Sequence, residues 1–203
     1  KSLIIIGAGA IGIEFAHFYN TYGTEVTVIE ALPTILPVED EDVSAELLSI
    51  FKKRKMNILI NTFVEKIERL KTKVKVYTKD GQIIEADKAL IAVGVQGNIE
   101  DIGLKEVGVT LDKGWISTNE FMQTNIHNIY AIGDVAGPPW LAHVASEEGI
   151  IAVKHMAGKN PEPMKYDNIP GCTYCHPEVA SVGLTEKAAR DAGYELKIGN
   201  FPF

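Results

Sequence analysis

The run Gly7-Ala8-Gly9-Ala10-Ile11-Gly12 most constrains what this chain can become. Before it lies Leu3-Ile4-Ile5-Ile6, a short continuous apolar run that reads as a strand buried on both faces. After it, Ile11, Phe15, Phe18 and Tyr22 recur at helical spacing and predict the apolar face of a helix, closed by Gly23. Val26, Val28 and Ile29 then form a second strand that ends at Glu30, 18 residues beyond Gly12. Strand, glycine turn, helix, strand and terminal acid together make the dinucleotide-binding pattern. Gly7 permits the tight turn, Gly9 lets backbone N–H groups approach a pyrophosphate, and Gly12 lets helix and strand pack closely. The helix N-terminus supplies partial positive charge for phosphates. Glu30 can accept both hydroxyls of an adenosine ribose. A carboxylate there repels a 2′-phosphate, and no Arg lies between Glu30 and Val38 to receive one, so NAD is favoured over NADP. Glu14 has two readings: an acid in the first helical turn, or a group near the nicotinamide.

The rest of the chain alternates in the same α/β manner. Glu39 to Lys55 predicts a helix with acids at its start and bases at its end, matching the helix dipole. Ile58 to Ile60 is a third strand. Val64 to Leu70, Val74 to Thr78 and Gln82 to Ala86 read as an antiparallel meander with an Asp80-Gly81 turn, before a buried strand at Ala89 to Val93. A further buried strand is expected at Asn128 to Ile132, ending in Gly133-Asp134, and a helix from Trp140 to Ala157. Asp134 would sit at the C-terminal edge of a parallel sheet, able to bind polyol hydroxyls such as a flavin's ribityl chain; an Asx turn explains the same pair. Beyond the prolines at 161, 163 and 170 come β signals at 172–183 and a short helix near 185–192.

Other classes are excluded or discounted. With 20 Lys plus Arg against 27 Asp plus Glu, the net charge of −7 gives no basic face for nucleic acid or an anionic membrane. Two cysteines are too few for a disulfide scaffold in 203 residues, which points to a reducing, cytosol-like compartment. Cys172 and Cys175 have C-x-x-C spacing but fall in a predicted strand, where residues three apart face opposite sides; they read as structural or incidental. No metal site is expected, since zinc would need two more ligands and the histidines lack metal or triad spacing. His17 and His155 read as surface helix positions. Both termini, apolar at residue 3 and at Phe201-Pro202-Phe203, read as cut from a longer chain.

Taken together, these residues resemble the flavin-dependent pyridine nucleotide–disulfide oxidoreductases, and within them the members that oxidise dihydrolipoamide. The likeness runs through Gly7 to Gly12 with Glu14, Val28-Ile29-Glu30, Leu36-Pro37 with the acids at 39–42, Thr124 to Val135, Leu141-Ala142-His143 with Glu148-Gly149, and His176-Pro177 to Glu186. The resemblance implies a Rossmann-like NAD-binding domain with an inserted β-meander over residues 1–98. A central segment returning to an FAD domain would follow over 99–165, then the start of an α+β interface domain over 166–203. It implies NAD binding by Gly7, Ala8, Gly9, Ala10, Ile11, Gly12, Glu14, Glu30, Val64 and Gly94, and FAD contacts from Asp134, Leu141, Ala142 and His143. In the whole enzyme dihydrolipoamide, presented on a lipoyl domain of a 2-oxo acid dehydrogenase complex, would reduce a disulfide, with electrons passing through FAD to NAD. The enzyme would be a homodimer of the cytoplasm, or of the mitochondrial matrix in a eukaryote.

The redox cysteine pair and the FAD glycine motif are expected upstream of Lys1, and the His–Glu dyad downstream of Phe203, so the 203 residues alone are expected to be inactive. One departure is Gly94-Val95-Gln96-Gly97-Asn98, where many relatives carry Gly-Arg-x-Pro-Asn. Alternatives are a sister mercuric or coenzyme A-disulfide reductase, or an NAD-sensing module without chemistry. Gly133-Asp134 and the interface-like tail count against the sensor.

Overall fold

The computed structural model describes residues 1–201; Pro202 and Phe203, the end of the apolar C-terminal run, lie outside the described residues. The chain divides into two compact units, one of Lys1–Gly94 with the segment from Pro170, the other of Val95–Ile169.

The first unit opens with β1 (Ser2–Ile6), α1 (Ala10–Thr21), β2 (Glu25–Ile29), α2 (Glu41–Lys53) and β3 (Asn57–Leu59). The meander β4 (Val64–Arg69), β5 (Val74–Thr78) and β6 (Ile83–Ala86) follows, then β7 (Lys88–Ile91). Four strands pair in parallel in the order β3-β2-β1-β7, with Ile5 opposite both Val28 and Leu90. Alternation along β1 assigns its two faces. Leu3 and Ile5 pack with Ile13 and Ala16 of α1 and Leu47 and Phe51 of α2. Ile4 and Ile6 pack with Ile29 and with Val76 and Ala86 of the antiparallel meander. A strand covered on both sides must be apolar throughout, which is why β1 reads as an unbroken run.

Helix α1 turns the opposite way from its apolar spacing. Ile11, Phe15, Phe18 and Tyr22 are exposed, while Gly12, Ile13 and Ala16 face the sheet. At Gly12 size decides this, not hydrophobicity, while beside it Ile13 is fully buried in the core. A Cβ on Gly12 would lie 2.0 Å from the Gly7 carbonyl oxygen, so only glycine allows the approach there. The displaced aromatics pack on one another, with Phe18 and Tyr22 centroids 5.0 Å apart and Phe15 and Tyr19 6.2 Å apart. Helix α2 carries the expected polarity, with Glu41 and Asp42 in its first turn and Lys52 and Lys53 in its last.

The second unit holds a short helix α3 (Leu104–Val107), a two-stranded ribbon of β8 (Leu111–Asp112) and β9 (Trp115–Ile116), and helix α4 (Ala142–Met156). Val109, Ile116 and Ala131 form its small core. The strand expected at 128–132 does not form. One isolated bridge links Gln123 and Tyr130, and Ala131 N–H donates to the Met122 carbonyl at 3.0 Å. A buried strand needs ladder partners along both edges, and among the described residues the backbone of this segment bonds to 122–124 and, in a local turn, to the Ile126 carbonyl. A 3-10 turn, Gly133–Ala136, follows it directly. Helix α4 starts two residues later than Trp140, after Pro138, Pro139 and an extended Leu141.

From Pro170 the chain returns to the first unit. β10 (Gly171–Thr173) and β11 (Val179–Ser181) form an antiparallel hairpin, followed by α5 (Glu186–Asp191). Cys175 and Val179 complete the core of α1, α2 and β1. Three polar ties fix the return: Tyr174 N–H to Glu14 Oε1 at 2.8 Å, the Arg54 guanidinium to the His176 carbonyl, and Glu186 N–H to Asp40 Oδ1 at 2.7 Å. Thr185 caps α5 by accepting the Ala188 N–H at 3.1 Å.

Candidate functional site

The glycine turn is held from three sides. Gly7 N–H donates to the Ile29 carbonyl at 2.9 Å, and Leu36 N–H donates to the Ala8 carbonyl at 2.8 Å. Gly7 has φ +100°, and a Cβ there would lie 2.3 Å from the Ala92 carbonyl oxygen just past β7. Gly9 is different: a Cβ on it would meet nothing within 4 Å. That open space lies at the cap of α1. The first helical bond of α1 runs from Ile13 N–H to the Gly9 carbonyl, so the N–H groups of Ala10, Ile11 and Gly12 precede the ladder. No side chain caps this end and no acid occupies its first turn. Exposed Ala10 and Ile11 leave it accessible. Uncovered amides, a positive helix end and a space without side chains fit a diphosphate.

Glu30 sits at the end of β2 with 8% of its surface exposed. Its Oε2 accepts the Ala8 N–H at 2.6 Å and its Oε1 accepts the Leu32 N–H at 2.8 Å. The acid therefore fastens the glycine turn. Sequence spacing gives no signal for that anchoring role, because the bond spans 22 residues. Each carboxylate oxygen can still accept a further bond.

The remaining expected residues are placed as follows. Glu14 is the fifth residue of α1, beyond its first turn, and serves the Tyr174 N–H. That corrects the first-turn reading. Val64 opens β4, half-buried against the meander-side core. Gly94 follows β7 with φ +144° and open space around it.

In the second unit Asp134 is exposed in its 3-10 turn. Leu141 is the uncapped N-cap of α4, and Ala142 and His143 are exposed in its first turn. One polar residue there, part of the likeness but given no role by it, is held in place. Glu148, only 5% exposed, accepts the Gly133 N–H through Oε2 and the Tyr166 hydroxyl through Oε1, both at 2.7 Å. Its signal was present: Glu148 lies four residues from both Val144 and Ala152, on the buried stripe of α4.

Both cysteines are free thiols. The strand covers Cys172 but ends at Thr173, so opposite strand faces do not describe the pair. Cys175 N–H turns back to the Thr173 carbonyl at 3.0 Å, and its Sγ donates to the Pro177 carbonyl at 3.0 Å. Burial pushes the Cys175 thiol up to about 11, which keeps it protonated at neutral pH, and burial also raises Cys172. Two histidines are less exposed than expected. His17 is half-buried and stacks on Phe51; burial, then the charges of Arg54 and His176, lower its pKa. His155 stacks on Phe121 at 4.7 Å and lies 2.8 Å from the Tyr130 hydroxyl through Nδ1. Among the described residues no cluster of three His, Cys, Asp or Glu could hold a metal ion, and no helix is long and apolar enough to cross a membrane.

Residues 1–149 match the family model of the pyridine nucleotide-disulphide oxidoreductases, and residues 169–203 match the dimerisation domain of the same family. The chain belongs to the pyridine nucleotide-disulphide oxidoreductase family. Among relatives of this chain, dihydrolipoyl dehydrogenase of Rhizobium etli is 48% identical, with all of this chain matched to 43% of that protein. Dihydrolipoyl dehydrogenase of Bacillus subtilis is 46% identical over all of this chain and 44% of its own length. The chain thus spans less than half the length of these relatives. Two solved structures share the fold. LpdA from Mycobacterium tuberculosis is 31% identical with a TM-score of 0.87, covering 94% of this chain and 42% of that one. The HOCl-induced flavoprotein disulfide reductase RclA from Escherichia coli is 28% identical with a TM-score of 0.88, covering 96% and 45%. A nicotinamide and a flavin cofactor go with this family.

Proposed function

We propose that this chain is the NAD-binding part of a flavoprotein that oxidises dihydrolipoamide. The observation that carries the reading is the joined glycine turn and acid: Gly7 to Gly12 leave an uncovered helix end beside open space, and Glu30 closes the turn at 2.6 Å. The N–H groups of Gly9, Ala10, Ile11 and Gly12 hold the pyrophosphate, with Ala8 fixing the turn. Glu30 accepts the adenosine ribose hydroxyls and repels a 2′-phosphate, which selects NAD. Glu14, Val64 and Gly94 line the remainder of the dinucleotide site. Asp134 orients the ribityl hydroxyls of FAD, and Leu141, Ala142 and His143 border the same cofactor. FAD, when bound, carries electrons between a redox disulfide and NAD.

The relatives named dihydrolipoyl dehydrogenase support dihydrolipoamide as the reductant, carried on a lipoyl domain of a 2-oxo acid dehydrogenase complex. The match to a dimerisation domain supports a homodimer. Residues 1–98 serve NAD, 99–165 the flavin side and 166–203 the interface. The working compartment is the cytoplasm. Calorimetric titration tests the reading. NADH binds and NADPH binds far more weakly; equal affinity for the two overturns it.

A further inference from the structure

We propose that Glu148 is a positioning residue of the flavin site, holding the Gly133-Asp134 turn in the geometry that presents the Asp134 carboxylate. This rests on the assignment of Asp134 to the flavin ribityl chain. Three residues of α4 at spacing i, i+3 and i+4 meet the segment before Asp134. Ala145 lies 3.1 Å from where a Cβ on Gly133 would stand, and a Cβ on Gly149 would lie 3.3 Å from Ile132 Cδ1. Between them Glu148 reaches the Gly133 N–H at 2.7 Å. Gly133 has φ +69°, a conformation that favours glycine and that no flanking strand enforces, since 128–132 form no ladder beyond one bridge. The bond to Glu148 and the close packing of α4 therefore fix the turn, and Asp134 is the next residue.

Apolar packing alone does not call for a carboxylate here. An acid with 5% exposure on the apolar stripe of α4 carries a desolvation cost that leucine would avoid. What leucine cannot supply is an acceptor for a backbone N–H. The second oxygen is held too, by the Tyr166 hydroxyl at 2.7 Å. Burial, then the hydrogen bond and charge of Glu148, push the Tyr166 phenol above its usual range, so it remains a donor. With one oxygen on Tyr166, the other is aimed at Gly133.

The test is made on the whole flavoprotein, stripped of flavin and titrated with FAD, with thermal unfolding followed in parallel. Asp134→Ala should weaken FAD. Glu148→Ala should weaken it by roughly 10–100-fold, the scale of a lost charged hydrogen bond. Glu148→Gln retains a carbonyl for Gly133 and should restore affinity to within about threefold. Tyr166→Phe should fold and weaken FAD a few-fold, by freeing the carboxylate. If Glu148→Ala does not fold, Tyr166→Phe decides, and parental FAD affinity in it overturns the proposal. Weak FAD binding in Asp134→Ala beside parental affinity in Glu148→Ala overturns the positioning role and leaves the flavin assignment standing. So does a Gln variant as impaired as Ala. Parental affinity in Asp134→Ala overturns the flavin assignment itself, and the proposal with it.

Discussion

Replacing Glu30 with alanine removes two hydrogen bonds and a ligand-reading carboxylate at once, and the structure allows the two losses to be separated. The Ala8 N–H is donated at 2.6 Å in a buried setting, where water replaces the lost oxygen poorly. An orphaned buried donor costs about 1–3 kcal/mol. The Leu32 N–H, bonded at 2.8 Å in a part-buried position, is partly rehydrated and adds about 0.5–1 kcal/mol. Glu30→Ala should therefore destabilise the chain by about 1.5–4 kcal/mol in urea unfolding followed by circular dichroism. Glu30→Gln, which offers one acceptor and one donor to two N–H groups, should fall about halfway. Loosening the glycine turn weakens both dinucleotides alike. Loss of the charged ribose contact weakens NADH further, by about 1.5–3 kcal/mol, and relieves the repulsion of the 2′-phosphate in NADPH. The NADH-over-NADPH preference should therefore shrink by more than tenfold in calorimetry. Unchanged urea stability in Glu30→Ala would refute the anchoring role. A preference that survives intact would refute the ribose role.

Other substitutions follow from the same geometry. Gly9→Ala meets no atom within 4 Å, so it should unfold like the parent while losing NADH affinity through a methyl group in the phosphate space. Gly12→Ala, with its Cβ 2.0 Å from the Gly7 carbonyl oxygen, should lower the unfolding midpoint markedly; equal behaviour of the two variants contradicts the cradle. Changing Cys172 and Cys175 together to Ser should leave NADH affinity unchanged with a modest stability cost, and a disulfide or bound zinc in the parent would overturn this. Iodoacetamide should modify Cys175 slowly at pH 8 and faster as pH nears 11, where burial has moved its thiol. By the same shift, the unfolded chain loses this proton near pH 9 and the folded chain near 11, so the contribution of Cys175 is full below pH 9 and falls as pH rises towards 11.

The sequence shows most plainly what depends on local spacing. Gly7 to Gly12, the apolar β1, the acid closing β2, the charge polarity of α2 and the Asp80-Gly81 turn are all set within a few residues, and all appear where the pattern puts them. The inward face of α1 was not legible in this way. Hydrophobic spacing selects Ile11, Phe15, Phe18 and Tyr22, whereas the buried face carries Gly12, Ile13 and Ala16, and at Gly12 the Gly7 carbonyl leaves no room for a Cβ. The expected strand at 128–132 failed for a different reason, since an apolar run becomes a strand only when neighbours supply its hydrogen bonds. Within the candidate site, the identity of Glu30 was legible and its bond to Ala8 was not. Glu148 stood in view on the apolar stripe of α4, but its partners come from Gly133 and Tyr166, which only the fold brings to it.

The return of the β10–β11 hairpin sets a clock on synthesis. Cys175 and Val179 belong to the same core as Ile5 and Phe51, and Tyr174 is tied to Glu14 across 160 residues. The ribosome delivers β7 long before it delivers β10, with the whole of Val95–Ile169 made in between. At about 5–20 residues per second, the helical face of the first sheet waits on the order of several seconds to tens of seconds for its last apolar side chains. During that interval a sheet already paired in four strands presents an unfinished surface, and a chaperone that shields it would act before residue 180 emerges, not after.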